Sequence, residues 1–122
     1  MIRRFEVTVV SDGAGAATAY TPYLSGFVQA VHYIKTDYTD GVDFTITAEA
    51  TGETIWTQVD VNAAAVKAPR QPTHSTAGVA ALYVAAGTAV NSMVALGRDR
   101  IKIVLASAGA TKTGKFIFII DG

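Results

Sequence analysis

GVDFTITAEATGETIWTQVDVN, residues 41–62, decides the fold. Val42, Phe44, Ile46 and Ala48 alternate with Asp43, Thr45, Thr47 and Glu49, the period of two that belongs to a strand with one face covered and one wet. Thr51-Gly52-Glu53 then reverses the chain, and Thr54 to Val61 returns with Ile55, Val59 and Val61 on one face and Trp56, Gln58 and Asp60 on the other. Two alternating runs around a Gly-containing turn read as an antiparallel hairpin.

The same period extends to both sides. Toward the amino terminus, Phe5, Val7 and Val9 alternate with Arg4, Glu6 and Thr8, and Ser11-Asp12-Gly13-Ala14-Gly15 breaks that strand with glycines and an Asp able to bond back to its own turn. Ala16 to Leu24 is extended, with Pro22 placing it at an edge or in an arm. Gly26 to Lys35 carries apolar residues on both faces: Phe27, Val31 and Tyr33 against Val28, Ala30 and Ile34.

Toward the carboxyl terminus the pattern weakens and then recovers. Ala63 to Ala77, with Pro69 and Pro72, reads as a long connection, and Val79 to Val94 suits helix or short strands equally, since its alanines favour helix while Gly78 and Gly87 punctuate it. Ile101, Ile103 and Leu105 alternate again, and Phe116 to Ile120 closes the chain as a strand apolar on both faces. The sum is about eight short strands, an all-β chain best satisfied by a two-sheet antiparallel sandwich of the jelly-roll kind. One domain, residues 1–122, accounts for the length, with residues 1–24 either part of the sandwich or an amino-terminal arm.

Composition narrows the function. The chain is 50% hydrophobic and 16% charged with zero formal net charge, so disorder is excluded and charge-led capture of nucleic acid or an anionic membrane is not expected. No cysteine is present, which removes disulfides, thiolate nucleophiles and cysteine zinc sites. MIRRFEVTVV lacks the apolar core of a signal peptide, and no stretch approaches the roughly 18 apolar residues of a membrane helix, so the product is expected to be made and to mature in the cytoplasm.

No catalytic residue, no metal site and no cofactor is expected from the sequence. GATKTGKF, residues 109–116, has the glycine and lysine spacing of a phosphate-binding loop, but Phe116 stands where the Mg²⁺-holding Ser/Thr belongs, and a strand follows in place of a helix. It reads as a β-turn. His32 and His74 have no flanking acid at ligand spacing, and Asp37, Asp40 and Asp43 lack the spacing of a calcium loop. Trp56 shares a face with Gln58 and Asp60, so its ring serves a subunit contact, a second core layer or a ligand platform. Acids dominate Lys35 to Asp60 and bases dominate Arg98 to Lys115, a division suited to oriented association between copies. The last strand, Phe116 to Ile120, needs cover on both faces, one from the opposing sheet and one expected from another subunit.

GVDFTITAEATGETIWTQVDVN, the Pro69-Arg70 pair behind a small-residue segment, and GRDRIKIVLASAGATKTGKFIFIIDG, residues 97–122, together resemble small head decoration, or cement, proteins of tailed bacteriophages, over most of the chain from Gly26 onward. The resemblance implies a β fold, a homo-oligomer (dimer or trimer), no active site, and attachment to the outer surface of the virion head, bridging copies of the major capsid protein. On it rest two expectations: Arg3, Arg4, Tyr20 and Tyr23 contact the capsid, and Trp56 and Phe118 make contacts between copies. The alternative is a carbohydrate-binding jelly-roll module of a phage fibre or baseplate, with the aromatic residues as its platform.

Overall fold

The computed structural model describes residues 1–122. Ten strands and no helix make up the chain: β1 (Ile2–Val10), β2 (Ala17–Tyr20), β3 (Leu24–Lys35), β4 (Val42–Ala48), β5 (Thr54–Val61), β6 (Ala65–Lys67), β7 (Arg70–Pro72), β8 (Asn91–Asp99), β9 (Ile101–Ala106) and β10 (Thr113–Asp121). One sheet runs β1-β10-β3-β8-β7 with β6 also on β3; the other runs β2-β9-β4-β5.

Without β6 and β7, the strands pair first with last and inward: β1 with β10, β2 with β9, β3 with β8, β4 with β5, all antiparallel. A long hairpin rolled this way into two packed sheets is the jelly roll. β1, β4, β5 and β9 are the strands whose alternation is read from the sequence, β3 and β10 are those read as apolar on both faces, and β6 and β7 are short additions inside the connection between β5 and β8. The ambiguous stretch after Val79 holds no helix: Val79 to Val90 forms turns and isolated bridges, His74 with Ala80 and Leu82 with Ala89, before β8 begins at Asn91. Ile2–Val10 and Ala17–Tyr20 lie inside the two sheets as β1 and β2, so of the two alternatives for residues 1–24 the structure takes the sandwich rather than the arm.

The core explains the pattern. Phe44 from one sheet meets Tyr33 and Phe116 from the other at centroid distances of 4.5 and 5.0 Å, both edge-on, the geometry favoured by ring quadrupoles. Val28, Val31, Phe116, Phe118 and Ile120 face Val42, Ile46, Ile101 and Ile103 with no solvent exposure among them, each contributing about 2 kcal/mol by area removed from water. β10, the most apolar strand, sits between β1 and β3, so the aggregation-prone segment has no free edge.

Three expectations are corrected here. Phe118 is wholly buried inside its own chain, so it cannot touch a second copy. Trp56 is also a core residue, 8% exposed and edge-on to Phe44 at 5.3 Å. Its face was misassigned because β5 is bulged twice: the register on β4 skips Ile55 and slips again between Val42 and Phe44, with Asp60 at φ 56°. A bulge flips the alternation beyond it. Trp56 therefore turns in, where its indole donates to Gln58 Oε1 at 3.0 Å, and Val59 turns out, 71% exposed. Finally, the outer face of β10 does not wait for another subunit at Ile117, which is 8% exposed with Glu6 and His32 beside it on the flanking strands.

The glycines of residues 109–116 have structural reasons. A Cβ on Gly114 would lie 2.1 Å from Tyr38 Cε2, and the Tyr38 hydroxyl donates to Val9 O. Gly109, at φ 86°, turns the β9–β10 connection under Thr39. That connection interlocks with the β1–β2 turn, where Ser11 Oγ accepts from Lys112 N at 2.8 Å and Ala108 N donates to Gly15 O at 3.0 Å. Asp12 bonds back as expected, accepting from Ala14 and Ala16 amides at 2.8 and 3.0 Å, and the Ala16 and Ala14 bonds hold its carboxyl below the usual carboxylate range.

Candidate functional site

Two surfaces, at opposite ends of β8, stand out. The first gathers the β2–β3, β4–β5 and β8–β9 turns. Buried Asp99 accepts from Ala50 N and Arg100 N at 3.0 and 2.8 Å, and Thr21 Oγ1 accepts from Ile101 N at 2.9 Å, so bonds from backbone amides to these two side chains lock the three turns together. On that base Arg100 makes a bidentate pair with Glu49, Nε to Oε1 at 2.8 Å and Nη2 to Oε2 at 2.9 Å. Its guanidinium lies 3.9 Å over the Tyr20 ring and 5.4 Å from that of Tyr23. The Glu49 bond raises the Arg100 pKa further. A planar cation fixed by a fork and stacked on a ring loses little freedom when it meets a partner. Tyr23 remains 62% and Tyr20 38% exposed, and Tyr and Arg are the residues that most often anchor protein contacts.

The second surface is the excursion from Thr73 to Val90. No Asp, Glu, Lys or Arg occurs from Gln71 to Gly97. The segment leaves the sheet at Pro72 and returns at Asn91, opposite one another on β7 and β8, and its own backbone bonds hold it: Thr73 N to Val90 O, Ala81 N to Thr73 O, Val90 N to Ala81 O and Tyr83 N to Thr88 O, at 2.8 to 3.1 Å. The result is an ordered projection that shows Val79, Tyr83 and Val84 to solvent at 65 to 71% exposure, with Leu82 at 44%. Clustered exposed apolar side chains mark interaction sites. The nine residues of β8 separate the projection from Arg100, about 30 Å at strand rise.

The predicted contact residues divide. Tyr20 and Tyr23 come together on Arg100, whereas Arg3 and Arg4 lie on β1 in the other sheet: Arg3 donates to Ser25 O at 3.3 Å and lies 5.4 Å from the Phe5 centroid, and Arg4 bonds Glu6 at 2.6 Å. Glu49 and Arg100 were missed because they are 51 positions apart in the chain, with no local signal. The projection did leave one, its uncharged run.

The chemistry-bearing residues do not converge. His32 lies mid-strand on β3 and His74 in the projection's first bridge. Asp37 accepts from Thr113 N, Asp40 pairs with Lys35 and Asp43, on β4, accepts from Asp60 N on β5, so the three carboxylates have separate partners, and no group of three His, Asp or Glu is placed to hold a metal. Part of the acidic-versus-basic division is neutralised within the chain by Arg100–Glu49 and Lys35–Asp40.

No family model and no curated protein sequence matches the chain. Among solved structures it is similar to the Bacillus endospore appendages described as a novel family of disulfide-linked pili, at 20% identity over 98% of this chain and 84% of that one, TM-score 0.47. It is also similar to the infectious bursal disease virus Gt strain, at 11% identity over 98% of this chain and 32% of that one, TM-score 0.36. A third likeness is to the virus-like particle of the extra small virus of the giant freshwater prawn Macrobrachium rosenbergii, at 11% identity over 99% of this chain and 80% of that one, TM-score 0.32.

Proposed function

We propose that the chain is a structural virion protein: a decoration, or cement, protein that sits on the exterior of a tailed-phage head, bridges major capsid subunits and stabilises the shell. The observation that carries this reading is the pair of unlike adhesive surfaces held about 30 Å apart on one rigid sandwich. A Tyr–Arg–Glu cluster suits a polar, partly hydrated contact, and the uncharged projection suits a desolvated one. A body with two such ends joins neighbours, and on a lattice individually modest contacts combine through a high effective concentration. In this proposal Tyr20 and Tyr23, presented by Arg100, contact the capsid at one end, and Val79, Leu82, Tyr83 and Val84 contact an adjacent subunit at the other.

The test is cosedimentation of the purified chain with expanded, undecorated head shells. Binding in a fixed ratio to capsid protein that raises the temperature of shell disruption, and that Tyr23→Ala or Val84→Asp weakens, supports the proposal. The exposed Tyr23 ring also suits stacking on a sugar, the carbohydrate-module reading, and a glycan array separates the two: binding there with none to shells overturns the cement role.

A further inference from the structure

The geometry points to β1 as a self-pairing edge: two copies of this chain join the six-stranded sheets through antiparallel β1–β1 contact about a two-fold axis at Phe5. β1 pairs with β10 along all nine residues without a register shift, and its only other backbone bonds lie beyond its ends, Gly122 N to Met1 O and Ser11 N to Lys112 O. Its outward amides and carbonyls are therefore a straight, proline-free template. Edge strands of this kind pair with another chain unless something blunts them.

Charge selects the register. A two-fold axis normal to the sheet keeps like faces together, so residues directly opposite must share a face. Centred on Phe5, the pairing sets Arg4 of one copy against Glu6 of the other, twice by symmetry, with Ile2 against Thr8, Arg3 against Val7 and Phe5 against Phe5. Shifting the centre by one residue sets Arg4 against Arg4 or Glu6 against Glu6, and like charges directly opposite destabilise a sheet. The internal Arg4–Glu6 bond, with Lys115 Nζ 3.8 Å from Glu6, becomes part of an alternating four-charge row. Phe5, half-buried at the rim of the core, gains its missing cover from its own copy. Arg3, tied to Ser25, is held along its own sheet.

This inference deepens the assembly reading by naming the contact between copies, and its test uses no capsid, so the two can fail separately. Sedimentation equilibrium of the full chain is expected to give a dimer. Glu6→Arg places like charges opposite Arg4 and should weaken the dimer about tenfold or more, while the swap Arg4→Glu with Glu6→Arg should restore it. Because the chain has no cysteine, Ile2→Cys with Thr8→Cys gives a clean cross-link assay: the double variant should form a disulfide-linked dimer under mild oxidation and each single variant should not. A wild-type monomer or trimer, equal dimer constants for Glu6→Arg and the swap, or no cross-link from the double variant overturns the inference.

Discussion

Gly114→Ala separates a packing role from a phosphate-loop role by the sign of its effect. In a strand, alanine in place of glycine ordinarily stabilises by about 0.5–1 kcal/mol through the unfolded chain, provided space exists. Space does not exist here: the added carbon would lie 2.1, 2.6 and 2.7 Å from three ring atoms of Tyr38. Tyr38 has little room to yield, because it is 2% exposed, is stacked with Tyr33 at 6.2 Å, and is tethered to Val9 O. Overpacking costs about 1–3 kcal/mol and the strained tether about 1 kcal/mol more. The net loss is about 2–3 kcal/mol, a fall in Tm of roughly 10 °C for a domain of this size. Urea denaturation gives the free energy and a melt gives the Tm. Tyr38→Ala, costly by itself, should make Gly114→Ala nearly neutral in the double variant, the coupling expected of touching groups. If Gly114→Ala alone leaves stability unchanged or raises it, the explanation of this glycine is wrong.

The Tyr33 hydroxyl is buried without a hydrogen-bond partner, so Tyr33→Phe should raise stability by about 1 kcal/mol in urea denaturation. Burial also pushes the Tyr33 pKa up to about 12 and Tyr38 higher still. Since unfolded tyrosine ionises near pH 10, stability should hold below about pH 10 and fall as pH rises toward about 12, with a shallower fall in Tyr33→Phe melts across that range. Asp99→Ala should cost about 1–3 kcal/mol by removing the carboxylate that accepts from the Ala50 and Arg100 amides, seen as a lower urea midpoint. Val84→Asp, on a residue 67% exposed, should leave the unfolding free energy from urea denaturation within about 0.5 kcal/mol of wild type while weakening shell binding.

The legibility of the fold followed its regularity. Val42 to Ala48 alternates without a break and lies in the structure as read, since one sheet face is core and the other water. Trp56 was misread because a bulge leaves no mark in a period-2 pattern: Ile55 and Trp56 are consecutive, yet both are buried. Val79 to Val90 resisted assignment because its bonds are made within a small projection whose residues share neither period, and whose apolar side chains face out. Tyr20 and Tyr23 were legible as candidates by residue type alone. Their partners were not, since Glu49 and Arg100 meet only after the roll has closed, and Phe118 was lost to the core because a strand apolar on both faces does not say which face the opposing sheet takes.

We propose adhesion to a repeating shell, through surfaces at the two ends of the sandwich, as the work of this chain. Cosedimentation with expanded, undecorated head shells tests it most directly, run with wild type, Tyr23→Ala and Val84→Asp. Saturable binding in a fixed ratio to capsid protein, weakened by either variant while the fold is kept, is the predicted result. Wild-type protein left wholly in the supernatant, or variants that bind as well as wild type, would contradict it.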